Sequence, residues 1–149
     1  YGYPAEVMEL YIQNKFDLKW LHPDSGDCLL HTLVHLFYDD RKDDNFIKKV
    51  ELLLTKMADK INTVNKKGLT PLDVVQKDYN KQLENIMTNF YTSEAEKTKN
   101  SEALTSEFES LISLLKEHGC LTAEEIAYNT TWAGQFQKKL SEFYKIVQI

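Results

Sequence analysis

The sequence lacks long hydrophobic runs and is poor in the residues that make tight turns. Apolar runs such as Leu52–Leu54 are far shorter than the ~20 residues that a membrane-spanning helix needs. Five Gly and three Pro in 149 residues are few for an all-β sandwich, whose strands are joined by many turns. We therefore predict no membrane span and a fold that is not an all-β sandwich.

Arginine and cysteine are also scarce. Arg41 is the only arginine, although bidentate recognition of phosphate or guanine relies on the guanidinium group. The net charge of −5 also has the wrong sign for a polyanionic partner, so we expect no nucleic-acid binding. Cys28 and Cys120 are the only cysteines, and two do not make a disulfide framework. They indicate a reducing compartment, and we expect a cytoplasmic location.

The sequence does contain enough apolar residues for one packed domain. Hydrophobic residues make up 42% of the chain and charged residues 28%, a balance that permits a core and argues against global disorder. The chain begins at Tyr1 with a helix-like segment and shows neither an initiator Met nor a signal-peptide pattern. We expect a monomeric fragment of a larger chain.

Two stretches of the sequence resemble each other and are each built around a glycine. Gly26 and Gly68 lie 42 residues apart, each in a polar turn that is followed by a short polar residue and an apolar pair. Glycine permits the positive backbone φ that a tight turn needs. The hydroxyl of Thr70 can cap the helix that follows the second turn, and Pro71 suits its first position.

Helical segments precede both turns. Apolar residues recur at helical spacing over 7–18 and again over 50–62, and a third copy over 111–120 is followed by no turn of the same type. A single helical hairpin cannot bury its apolar face alone, whereas stacked neighbours bury it together. The repetition therefore indicates stacked helical hairpins.

The second turn carries a more specific pattern. Gly68-Leu-Thr-Pro-Leu-Asp73 resembles the G-x-T-P-L-H motif of ankyrin repeats, and Val50–Asn62 resembles the second helix and closing turn of that family. The stretch His118–Glu125 resembles the end of a terminal repeat. The first copy departs from the family pattern at Cys28-Leu29, where Thr-Pro is usual, and retains Leu30-His31.

The resemblance implies an all-α solenoid of ankyrin-type helical hairpins, with insertions and a C-terminal capping helix. Irregular repeats would occupy residues 1–126, as a partial repeat over 1–21 and repeats over 22–62 and 63–126. The capping helix would occupy 127–149. It would cover the open end of the stack with an apolar stripe that we predict to be core, formed by Phe136, Leu140, Phe143, Tyr144 and Val147.

Both repeats exceed the usual ~33 residues and carry insertions. The first insertion spans Tyr38–Phe46, with a polar core over 39–44, and the second spans roughly 78–106. Apolar residues from Tyr79 to Phe90 recur at helical spacing and predict an extension of the preceding helix. The polar stretch Thr92–Ser106 is predicted to be a mobile loop.

Two alternatives would place chemistry near the first turn. Cys28, His31 and His35 could share a helix face as zinc ligands, but a fourth ligand is missing. Cys28 with either histidine could act as nucleophile and base, but no nucleophile signature surrounds it. The resemblance instead places His31 where the family histidine hydrogen-bonds neighbouring loops. The acidic run at 39–44 lacks the spacing of a calcium loop. We expect no metal, no cofactor and no enzymatic activity.

The ankyrin resemblance implies a protein–protein interaction module that binds a partner protein through its loop tips and a concave helix face. Trp20 is either an exposed interface anchor or packed between adjacent turns. Lys66-Lys67 is either a solvated turn or a contact for an acidic partner. The residues predicted to bind the partner are Trp20, His22, Asp24, Ser25, Asp27, His35, Lys66, Lys67, Leu69 and Lys77.

The alternative function is an accessory or targeting domain of a larger enzyme. Lysine-rich composition with irregular repeats resembles ankyrin-containing effectors that bacteria secrete into host cells. On this interpretation the partner is a host protein and the location is the cytoplasm of the host cell.

Overall fold

Helices account for all of the regular secondary structure that is described. The computed structural model describes residues 19–41, 43 and 45–147. No strand occurs in these ranges, which confirms the all-α class. The helices are α1 (Leu29–His35), α2 (Phe37–Asp40), α3 (Phe46–Met57), a 3-10 turn (Ala58–Lys60), α4 (Pro71–Met87), α5 (Glu94–Glu117), α6 (Ala123–Asn129) and α7 (Trp132–Val147). The partial repeat predicted over 1–21 lies almost wholly outside the described residues, as do Lys42 and Asp44 of the first insertion.

The starts of α1 and α4 follow the predicted turn chemistry. Gly26 and Gly68 have φ angles of 73° and 78°, in the left-handed region that glycine adopts without strain. Cys28 is the N-cap residue of α1. Thr70 caps α4, where its Oγ1 accepts a hydrogen bond from the Asp73 backbone N–H and Asp73 accepts one in return from the Thr70 N–H.

A glycine with positive φ and a cap residue also precede α6, but the turn differs from the first two. Gly119 lies at the C-terminal end of α5, where the Cys120 N–H donates to the Leu115 carbonyl. Gly119 has a φ of 88°, and Thr122 caps α6 by accepting from the Glu125 N–H. Glu125 accepts from the Thr122 N–H, which completes a reciprocal capping box. The Thr-x-x-Glu spacing is the sequence signal that marks this helix start.

The second insertion forms a long helical hairpin. Helix α4 continues to Met87, as the spacing of its apolar residues predicts, but Phe90 lies beyond it and is 96% exposed. The loop predicted over Thr92–Ser106 is wrong, because α5 begins at Glu94 with Ser93 as its cap. Glu, Lys and Ala are strong helix formers, and they outweigh the polarity that suggested a loop.

The core lies between five helices, α1 to α5. Its buried apolar residues are Leu30 and Val34 of α1, Phe37 of α2, Phe46, Val50, Leu53, Leu54 and Met57 of α3, Leu72 and Val75 of α4, and Leu104, Phe108, Leu111 and Leu115 of α5, with Cys28, Ile61 and Cys120 beside them. Phe108 sits edge-on to Phe37 with ring centroids 5.0 Å apart and lies 5.4 Å from Tyr79. One aromatic ring of α5 thus joins α2 to α4.

Helix α7 confirms the predicted C-terminal helix but not its packing. Of the sixteen described residues of this helix, Gly134 alone is buried, and the predicted core residues of the stripe are exposed. A Cβ atom at Gly134 would overlap the carbonyl oxygen of Tyr128, so glycine permits the close approach of α6 and α7. The stripe prediction is wrong because periodicity indicates that one face is apolar without indicating what covers it.

Replacing Phe108 by Ala should destabilise the fold by about 3–5 kcal/mol, because the change removes a buried ring that contacts two other aromatic residues. Urea unfolding followed by circular dichroism measures the difference. The matched control is Phe90→Ala, at a ring that is almost fully exposed, which should alter stability by no more than about 0.5 kcal/mol. Equal effects of the two substitutions would contradict this description of the core.

Candidate functional site

The turns at Gly26 and Gly68 lie side by side. We call the segments 22–28, 62–70 and 118–122 turn A, turn B and turn C. The backbone N–H of Lys66 in turn B donates to the Ser25 carbonyl of turn A at 2.9 Å, and the Lys66 ammonium donates to the Pro23 carbonyl at 2.6 Å. A Cβ at Gly26 would lie 3.1 Å from the Lys66 backbone nitrogen, so a close approach adds to the positive φ in favouring glycine.

Asn65 is the buried side chain that connects turns A and B. Its Nδ2 donates to Oδ1 of Asp27 at 2.8 Å. Its Oδ1 accepts from the backbone N–H groups of Lys67 and Leu69, both at 3.0 Å. One amide group therefore fixes the shape of turn B and its position against turn A.

Asn62 and Thr70 connect turn B to turn C. The Asn62 side chain accepts from the Leu121 N–H at 2.7 Å and donates to the Gly119 carbonyl at 3.1 Å. The Thr70 hydroxyl donates to the Leu121 carbonyl at 2.7 Å, and Asp73 accepts from the Ala123 N–H at 2.9 Å. Turn B thus lies between the other two, bonded to each of them.

His31 has a structural place in this arrangement. Its Nδ1 accepts from the Cys28 N–H at 3.0 Å, so the proton of the neutral ring is on Nε2, which lies 2.8 Å from the Leu69 carbonyl and donates to it. The predicted bond between His31 and a neighbouring loop is confirmed. His35 instead lies 3.0 Å from the Asp78 carboxylate of α4. No three His, Cys, Asp or Glu side chains of the described residues are grouped so that they could hold a metal ion.

The two thiols are buried and kept protonated. Burial raises the pKa of Cys28, although its bonds with backbone N–H groups oppose the shift. Burial, with a smaller contribution from the nearby Cys28 thiol, raises the pKa of Cys120 to about 12. A reactive cysteine needs the opposite shift, because the thiolate is the nucleophile.

The predicted partner-binding residues fall into two groups. Seven are exposed, namely Trp20, His22, Asp24, His35, Lys66, Lys67 and Lys77, and three are half-buried, namely Ser25, Asp27 and Leu69. Several belong to the framework, because Lys66, Ser25, Asp27 and Leu69 make the bonds within and between turns A and B.

The remaining predicted residues lie around that framework. His22 accepts weakly from the Asp24 and Ser25 N–H groups through Nδ1, which shapes turn A. Trp20 packs edge-on against His22, with ring centroids 5.9 Å apart, and is 41% exposed. The ammonium groups of Lys67 and Lys77 make no hydrogen bond or ion pair with the residues that the structure describes.

Two features of the structure are not predicted from the sequence. One is the bonding of Asn62 and Asn65 to neighbouring turns, although asparagine near a turn glycine is a signal for side-chain bonds to the backbone. The other is the exposure of Phe90 and Tyr91, which follow each other in the turn between α4 and α5 and are 96% and 98% exposed. No local pattern separates these two rings from the apolar residues of the preceding helix.

Asn65→Ala should destabilise the fold by about 2 kcal/mol, because it removes three hydrogen bonds and leaves backbone donors of turn B unpaired. Chemical denaturation of both variants measures the change against Asn85→Ala, whose exposed amide makes only a 3.4 Å contact with Gln82. The interpretation fails if the two substitutions cost the same.

The stability of the fold should fall in alkaline solution. The pKa of Cys120 in the folded state lies above the unfolded value of about 8.5. The protonated thiol therefore contributes fully to the free energy of unfolding below about pH 8.5, and this contribution is lost as the pH rises toward 12. Urea midpoints of wild type and Cys120→Ala, compared at about pH 8 and pH 10.5, should converge as the pH rises. A constant difference between the two would contradict the shift.

Comparisons of the chain with known proteins give no assignment. No family model, no curated protein and no solved structure matches it significantly. None of the helices in the described ranges is both long and apolar enough to cross a membrane. The ankyrin pattern of the sequence accordingly remains a resemblance.

Proposed function

We propose that this chain is a protein-binding module of the ankyrin-repeat type. The observation that carries the proposal is the bonding of turns A and B into one surface, through Asn65, Lys66 and His31. Loop tips that a rigid scaffold holds in place are a common site of recognition.

The turn contacts favour binding because they fix the backbone before a partner arrives. Binding has to offset the ordering of loops and side chains, and a surface that is already ordered loses less. Turn A is held internally by the bonds of His22, and turn B by those of Asn65. The side chains that remain available between and beside them are Trp20, Asp24, Lys67 and Lys77.

The ankyrin assignment itself is supported by three helix starts of one kind. Cys28-x-x-His31, Thr70-x-x-Asp73 and Thr122-x-x-Glu125 each form a reciprocal capping box after a glycine turn. His31 reaches from the first of these starts to the carbonyl of Leu69 in the next turn. Repetition of one local structure in adjacent positions is what a repeat array requires.

A catalytic function receives no support from the same region. The thiols are shifted away from the nucleophilic state, and both ring nitrogens of His31 are engaged by protein groups. A stable complex buries ~800 Å² on each partner, which is a large share of this turn surface. We therefore propose a binding site of modest affinity.

The experiment compares affinity capture by the wild-type chain and by Lys67→Glu/Lys77→Glu. Lys66 is left in place because its ammonium belongs to the turn contacts. The matched control is Lys48→Glu/Lys99→Glu, which makes the same charge change near the ends of α3 and α5 that are remote from the turns. Captured proteins are quantified by mass spectrometry, and the affinity tag without this chain is the negative control.

For a protein that the wild type and the control capture, the amount captured by Lys67→Glu/Lys77→Glu should be at least about tenfold lower, since reversed charges repel an acidic partner. Trp20→Ala should weaken the same protein's capture. Equal capture by all variants would reject the turn surface as the binding site.

A further inference from the structure

Helix α7 presents an apolar face that the described structure leaves uncovered. Trp132 is 79% exposed, and the other exposed apolar side chains of the helix are Phe136, Leu140, Phe143, Tyr144, Ile146 and Val147. On a helix with 3.6 residues per turn, Trp132, Phe136, Leu140, Phe143 and Val147 fall within an arc of about 80°. An exposed patch of this kind marks an interaction surface.

The charge of α7 is opposite to that of the chain. The helix contains three lysines, Lys138, Lys139 and Lys145, and one acidic residue, Glu142, whereas the whole chain has a net charge of −5. Lys138 and Lys145 lie on the side of the helix away from the apolar arc, and Lys139 lies at its edge. The helix therefore combines an aromatic-rich face with a cationic one.

We propose that α7 binds the surface of a lipid bilayer that contains anionic headgroups, lying in the plane of the interface. Helices of this composition, with aromatic side chains on one face and lysines on the other, bury the first at the headgroup boundary and place the second near lipid phosphates. The rings of Trp132 and Tyr144 suit that boundary because each has an apolar body and a polar group. The binding is peripheral, since none of the described helices can span a bilayer.

A bilayer fits this face better than a second copy of the chain does. A sixteen-residue helix is about 24 Å long and ~10 Å wide, so the footprint of one such helix on another is ~240 Å², well below the ~800 Å² per partner of a stable complex. A lipid surface covers the whole face at once. The acidic remainder of the chain opposes binding only within about 10 Å of the headgroups, because salt screens more distant charges.

The test uses the fluorescence of Trp132. Trp20 and Trp132 are the two tryptophans, so Trp20→Phe leaves a single reporter within α7. Vesicles of phosphatidylcholine with phosphatidylserine should shift its emission to shorter wavelength. Vesicles of phosphatidylcholine alone should bind at least roughly tenfold more weakly, and added salt should weaken the anionic case.

Two double variants distinguish binding through the apolar face of α7 from nonspecific adsorption of exposed aromatic rings. Phe136→Ser/Phe143→Ser should abolish vesicle binding, measured by co-sedimentation, and should leave the circular dichroism spectrum intact because both rings are exposed. Phe90→Ser/Tyr91→Ser removes two rings of the α4–α5 turn that are more exposed than those of α7, and this variant should bind as the wild type does. Lys138→Gln/Lys145→Gln should reduce the preference for anionic vesicles.

Three results would overturn the proposal. One is the absence of binding to either vesicle. The second is equal loss of binding in both aromatic variants. The third is concentration-dependent dimerisation in sedimentation velocity that Phe136→Ser/Phe143→Ser abolishes, which would assign the face to a second copy. The assay contains no protein partner, so its failure leaves the turn surface and its proposed function untouched.

Discussion

The arrangement of this protein depends on a row of side-chain amides and hydroxyls that bond to the backbone of neighbouring turns. Asn65 joins turns A and B, and Asn62 and Thr70 join turns B and C. Tight turns cannot satisfy all of their own N–H and carbonyl groups, and buried groups without partners are costly. Each turn supplies what its neighbour lacks, and the helices that start from the turns are aligned as a result.

Local chemistry explains the parts of the fold that the sequence predicts. The glycine turns, the caps at Thr70 and the helical extension after it are set by residues within a few positions of each other. The contacts of Asn62 and Asn65 with other turns cross 38 to 59 positions of the chain, and no local pattern encodes such a distance. The loop predicted over Thr92–Ser106 is wrong because the residues of this segment, although polar, are strong helix formers.

The candidate site shows the same division. Exposure of Trp20, Lys67 and Lys77 follows from their positions at turns and on the outer side of a helix. The hydrogen bond from the Lys66 ammonium to turn A cannot be predicted, because the sequence does not distinguish Lys66 from the adjacent Lys67. The predicted burial of the α7 stripe is wrong for a related reason. The sequence of a helix shows that one of its faces is apolar, but not which other surface packs against that face.

The hydrogen bond between Tyr79 and Thr105 has a consequence for how this chain can lengthen. Tyr79 and Thr105 lie near the two ends of the second insertion, at residues 78–106, so these two ends are close together in space. Additional residues at its far end would extend the paired helices outward without separating turn B from turn C. Variation in length at that end is thus decoupled from the spacing of the turns.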